Sequence, residues 1–145
     1  MERILFCTDF SENADAAFEA ALSELERRPH AELVLLHVIP EPEAQFWKSY
    51  VYEVEDVDQK AKADIDEKVT QTYQSRLPQG TSMHVEMRIG RDAQEIITVA
   101  RGFDIDLIIM GRQGHSRLEK VLFGNVTDKV IRHAPCPVLV VPPRV

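Results

Sequence analysis

Cysteine is scarce in this chain. The two residues, Cys7 and Cys136, lack metal-ligand spacing, and each lies at the edge of an apolar, strand-like run. Free thiols in such places pack as small hydrophobes, so both are expected buried or half-buried, and no redox role is assigned to them. Long apolar runs are missing too: none approaches the ~20 residues that span a bilayer. The opening MERILFCTDF has no signal-peptide layout, which makes the cytoplasm the expected compartment. Positive charge is in deficit, and a net charge of -7 at pH 7 argues against general binding to nucleic acid or to an anionic membrane. There is no internal repeat, low-complexity tract or interdomain linker. What is present, 145 residues with 44% apolar content, suffices for one domain whose core needs neither disulfides nor metals.

Strand and helix periods alternate along that domain. RILFC, residues 3–7, is a short apolar run that ends at Thr8-Asp9 and reads as a buried strand. Ser11 can cap the next helix, where Ala14, Ala17, Phe18, Ala21, Leu22 and Leu25 keep i, i+3, i+4 spacing as far as Arg28, before Pro29. ELVLLHVI, 32–39, is a continuous apolar strand halted by Pro40. Residues 40–56 fit neither period and gather Phe46, Trp47, Tyr50 and Tyr52 in an acidic stretch. Two readings stand for it: a connection folded back on the core or on a partner subunit, or a flap beside a ligand.

Helical spacing resumes over 57–77, with Ala61, Ile65, Val69, Tyr73 and Leu77 at steps of four. After the turn at 78–80, Met83, Val85, Met87 and Ile89 alternate with polar residues, as in a strand at a sheet edge. Asp92 and Glu95 have the form of a capping box for a helix from Ala93 to Gly102. A strand over 105–110, a helix over 126–133 and a strand from Pro137 complete the chain. The alternation predicts βαβ units with a parallel sheet covered on both faces. Apolar strands around residues 5, 35, 108 and 139 agree with such burial. Ligands of these folds bind beyond the carboxyl ends of the strands, where strand order reverses.

The most informative stretch is DLIIMGRQGHSRLEKVLFGNVT, residues 106–127. Gly111, Gly114 and Gly124 frame a basic loop that leads into a helix starting near Asn125. Glycines let backbone N–H groups approach an anion, and a helix start adds its positive dipole, so the stretch reads as a phosphate cradle. It is neither a Walker loop nor a Gly-x-Gly-x-x-Gly fingerprint. Charge distribution agrees with a small anionic ligand. Residues 1–100 carry 10 Lys and Arg against 20 Asp and Glu, whereas residues 101–145 carry 7 against 4, with Arg112, Arg117 and Lys120 near the glycines. His115 beside Ser116 lacks the third group of an activated nucleophile, and His30, His37, His84 and His133 are scattered, so neither a catalytic nor a metal site is assigned.

CTDFS at 7–11, LLHVIP at 35–40 and the run from Asp106 to Val141 together resemble the universal stress protein family, in its ATP-binding branch. The likeness runs end to end and is weakest over 41–80. It implies a single-domain flavodoxin-like α/β sandwich of the adenine nucleotide alpha hydrolase-like type, with five parallel strands in order 3-2-1-4-5, usually as a homodimer. Strands 1 and 4 would then be neighbours, with Asp9 beside Gly111. Carried over, the resemblance sets adenine against the backbone of Val38 and ribose near Asp9 and Gly111. The triphosphate would follow Gly114, His115, Gly124, Asn125 and the amides of Val126 and Thr127. Cys7, Thr8, Met110 and Arg112 complete the candidate site. The chemistry is suitable: an ionised Asp accepts from ribose hydroxyls, and a strand end offers N–H and C=O groups to a base edge.

One departure stands out. The binding branch has Ser or Thr after the third glycine, where this chain has Asn125. An Asn side chain can donate and also caps helices well, which preserves an anion site in another form. Mg²⁺, if bound, would be held by phosphates and waters. The strand from Pro137 to Val141 would expose an apolar edge, and pairing with its copy in a second subunit is expected. The leading expectation is a regulatory adenine-nucleotide binder (ATP, ADP or AMP) that acts on a protein partner. A slow ATPase or nucleotidyl-group enzyme, and an interaction protein that binds no nucleotide, are the alternatives.

Overall fold

The computed structural model describes residues 2–40, 54–112 and 125–143. Among them the elements alternate in type: β1 (Arg3–Cys7), α1 (Glu12–Arg27), β2 (Glu32–Pro40), α2 (Val54–Thr72), β3 (Met83–Gly90), α3 (Asp92–Gly102), β4 (Leu107–Gly111), α4 (Asn125–His133) and β5 (Val138–Val141). A short 3₁₀ turn, Gln74–Arg76, follows α2. The strands form one parallel sheet in the order β3-β2-β1-β4-β5. The chain thus steps outward from β1 to β3, returns to β4 on the other side of β1, and steps outward again.

Right-handed crossovers turn that order into two helix layers, because reversing the direction of travel reverses the face on which the crossover helix lands. Phe6, Phe18, Leu35, Val69 and Tyr73 form the core on the α1–α2 face. Leu5, Leu36, Ile96, Ile108 and Val130 form it on the α3–α4 face. Successive residues of a strand point to opposite faces, so β1 sends Ile4 and Phe6 to the first layer and Leu5 and Cys7 to the second. Coverage fails at the edges. No residue of β3 is fully buried, as its alternation implies, and Leu139 of β5 is 38% exposed. The two-faced burial expected around residue 139 therefore does not extend to β5, which among the described residues has a neighbouring strand on one side only.

Local signals set most helix ends. Ser11 caps α1, its Oγ accepting from the Ala14 N–H at 3.3 Å. The α2 periodicity is realised as Ile65, Val69 and Tyr73 in the core with Leu77 packed beside them, although α2 begins at Val54 and gives way after Thr72. The capping box expected at Asp92 does not form. Arg91 is the N-cap and makes no side-chain cap bond, while Asp92 is already helical. Asp92 and Glu95 instead occupy the first turn, where carboxylates favour the positive end of the helix dipole. Glu95 also packs over Gly90 (φ 155°), where a β-carbon would lie 3.1 Å from its Cγ.

Candidate functional site

The strand order brings the sequence-separated parts of the candidate site to one end of the sheet. Cys7 is in register with Leu36 on one side and Met110 on the other. Beyond it, the Thr8 N–H donates to the Leu36 carbonyl at 2.9 Å, continuing the ladder past the last strand residue. Val38, farther along β2, and Val126, in the first turn of α4, both pack on the layer that holds Cys7 and Met110. The ends of β1, β2 and β4 and the start of α4 thus share the α3–α4 side.

Burial decides what each position can offer there. Cys7, Met110 and Thr127 are buried, so their side chains are packed inside the fold. Burial, with the nearby negative charge of Asp92 as a lesser cause, pushes the Cys7 thiol far above its ordinary range. It is thus a neutral packing group with no thiolate to act as a nucleophile. Burial also raises the half-exposed Cys136, and both thiols are free. Asn125, by contrast, is exposed at the start of α4.

Asp9 is exposed at the carboxyl end of β1, and its Oδ1 accepts from the Ser11 N–H at 2.9 Å, closing an Asx turn. The turn role is therefore real, and it occupies only part of the acceptor capacity of a carboxylate. Phe10, the next residue, has φ 63°, a left-handed conformation uncommon for a bulky side chain.

Gly111 has a cause that its motif does not reveal. A β-carbon there would stand 2.6 Å from the backbone oxygen of Asn13, because the first turn of α1 lies directly against the end of β4. Asn13 fastens the contact by donating from Nδ2 to the carbonyl of Arg112 at 3.1 Å, while the Arg112 N–H donates to the Val141 carbonyl at 2.9 Å. The sequence carried no sign of Asn13, since nothing local links it to residues 111 and 112.

Gly114, His115 and Gly124 lie outside the described residues, as do Ser116, Arg117, Lys120 and the aromatics Phe46, Trp47, Tyr50 and Tyr52. A cleft of about 410 Å³ opens between the start of α1 and the end of α2, walled in part by Phe10, Asn13, Asp15 and Pro143. It shares no residue with the candidate site. Among the described residues no cluster of three or more His, Cys, Asp or Glu could hold a metal ion, and no helix is long and apolar enough to cross a membrane.

A doubly wound parallel sheet of order 3-2-1-4-5, reversing between β1 and β4, places the molecule among the nucleotide-hydrolase-like α/β folds. Within that class the chain belongs to the universal stress protein family, whose family model matches residues 1–142. It is 28% identical to Universal stress protein MJ0577 of Methanocaldococcus jannaschii, over 97% of this chain and 94% of that protein. The solved structure of MJ0577 matches with a TM-score of 0.76 at 30% identity, covering 99% and 97% of the two chains. Two more distant structures share the fold: a universal stress protein in complex with cAMP (TM-score 0.62, 19% identity, 99% and 98% covered) and an Arabidopsis thaliana family protein with AMP bound (0.66, 17%, 100% and 94%).

Proposed function

We propose that this chain binds ATP or a related adenine nucleotide as a regulatory ligand, as a cytoplasmic homodimer whose occupancy is read by a protein partner. The observation that carries the reading is the convergence of the β1, β2 and β4 ends with the start of α4 at the point where strand order reverses. The donor set suits a nucleotide. Asp9 is exposed with acceptor capacity for ribose hydroxyls, and the start of α4 offers phosphate the positive end of its helix dipole. Asn125, Val126 and Thr127 would hold the phosphates by backbone amide, with the Asn125 carboxamide as a further donor. Gly114, His115 and Gly124 complete the cradle in this proposal, and Val38 borders the base. Mg²⁺ would be carried by phosphate and water. Ligands of the same chemical class occur in two distant proteins of this fold, bound as cAMP and as AMP.

Mass spectrometry of small molecules released from freshly purified, denatured protein tests the reading, followed by calorimetry with ATP, ADP and AMP. A co-purified adenine nucleotide, or binding of any of the three, is expected. No released nucleotide and no heat at saturation with all three would sink it. Asn125→Ala should weaken ATP about five- to tenfold while leaving adenosine unchanged, because the lost bond is to phosphate.

A further inference from the structure

Tyr73 is an oddity of packing. Its ring sits fully buried at the end of α2 among Phe6 (centroids 5.3 Å apart), Phe18 (4.6 Å) and Phe10 (5.9 Å, nearly parallel). Such surroundings call for a phenyl ring alone, and a phenol adds a polar group that burial penalises unless it is bonded. Burial also raises its pKa, more than the Thr8 hydrogen bond lowers it, which keeps the hydroxyl neutral and able to donate. The hydroxyl is hydrogen-bonded to Thr8 Oγ1, at 2.5 Å.

Thr8 is held at every polar atom. Its N–H donates to Leu36, its carbonyl lies 2.9 Å from His37 Nδ1, and its Oγ1 accepts from the Phe10 N–H at 2.9 Å besides meeting Tyr73. Phe10 is in turn held left-handed by that bond and by its ring, which packs on Tyr73 and on His37 with Lys68 Nζ 5.4 Å from its centroid. Asp9 lies between these two residues. Its direction is therefore fixed from both sides by contacts on the α1–α2 face, whereas the candidate nucleotide lies toward the α3–α4 face.

We propose that Tyr73 is a positioning residue for the nucleotide site: its buried hydroxyl locks Thr8 and left-handed Phe10 so that Asp9 is presented to the ribose. This rests on the nucleotide reading above. It assigns the β1–α1 turn a second wall that the site motif does not contain, and it makes α2 a structural input to ligand affinity.

The test is calorimetry of ATP and of 2′,3′-dideoxy-ATP on the full chain. Wild type should prefer ATP by about tenfold, the contribution of hydrogen bonds to an ionised acceptor. Tyr73→Phe, which keeps the ring, should lose most of that preference by weakening ATP about fivefold or more while barely changing the dideoxy analogue. In an Asp9→Ala background the same substitution should have no further effect. Thr8→Val should reproduce Tyr73→Phe, and Thr8→Ser, which retains the hydroxyl, should restore the preference. These variants also decide the matter if Tyr73→Phe misfolds. Equal weakening of both nucleotides, or no change in either, overturns the positioning role while leaving nucleotide binding intact. Wild type that binds neither compound, together with ADP and AMP, overturns the nucleotide reading and this proposal with it.

Discussion

A β-carbon at position 111 has nowhere to go, because the backbone of Asn13 already fills its place. Since both sides of that contact are backbone, Gly111→Ala can be accommodated only by shifting α1 or β4, and it should cost about 1–3 kcal/mol in urea denaturation, like other overpacked sites. A variant as stable as wild type would show that the close approach does not hold in solution. Cys7 makes a second prediction. In the unfolded chain its thiol titrates near 9, whereas in the folded protein burial raises that value. The native state keeps a proton that the unfolded state releases, so this stability is complete below pH 9 and declines as pH rises above it. Tyr73, raised above 10 mainly by burial, adds a loss of the same sign at higher pH. Urea midpoints should therefore fall between about pH 7.5 and about pH 10, and fall less in Cys7→Ala. Equal slopes for the two proteins would contradict the buried thiol.

Among the elements, α3 shows how a helix can end well in the wrong residue. The Ile105 N–H donates to the Ala100 carbonyl and the Asp104 N–H to that of Arg101, the pair of bonds that closes a Schellman motif. The position this motif reserves for glycine holds Asp104, at φ 51°. Asp104→Gly should relieve the left-handed strain faster than it adds unfolded-state entropy, raising stability by about 0.5 kcal/mol, and Asp104→Val should lower it by about 1–2 kcal/mol. Thermal melts of the three proteins check the order; a glycine variant melting below wild type would refute it. The same element shows why boundaries are harder to read than elements. Asp92 and Glu95 satisfied the capping pattern in sequence, yet the chain entered the helix one residue earlier, at Arg91, because the pattern describes a spacing and not a backbone conformation.

For the molecule as a whole, β5 sets the open question of assembly. It pairs with β4 alone, leaves its other edge without a strand among the described residues, and exposes Leu139. Edges of this kind are usually protected, and the homodimer proposed through this strand would protect it. Leu139→Asp should shift a dimer toward monomer in light scattering; wild type that is monomeric over a wide concentration range would rule the dimer out. The periods of the apolar residues determined the elements, since helix and strand each impose their own spacing on any sequence that must bury one face. The family motifs determined the strand order, and the glycine stretch with Asp9 and Val38 supplied the candidate ligand site proposed above. Only the tertiary structure decided that Gly111 is bare for Asn13 and that Tyr73 anchors Thr8. These contacts join residues 99 and 65 positions apart, counted from Asn13 to Arg112 and from Thr8 to Tyr73. No local pattern encodes such a pair, because each partner obeys the period of its own element, and the two meet only after right-handed crossovers have stacked those elements on the sheet.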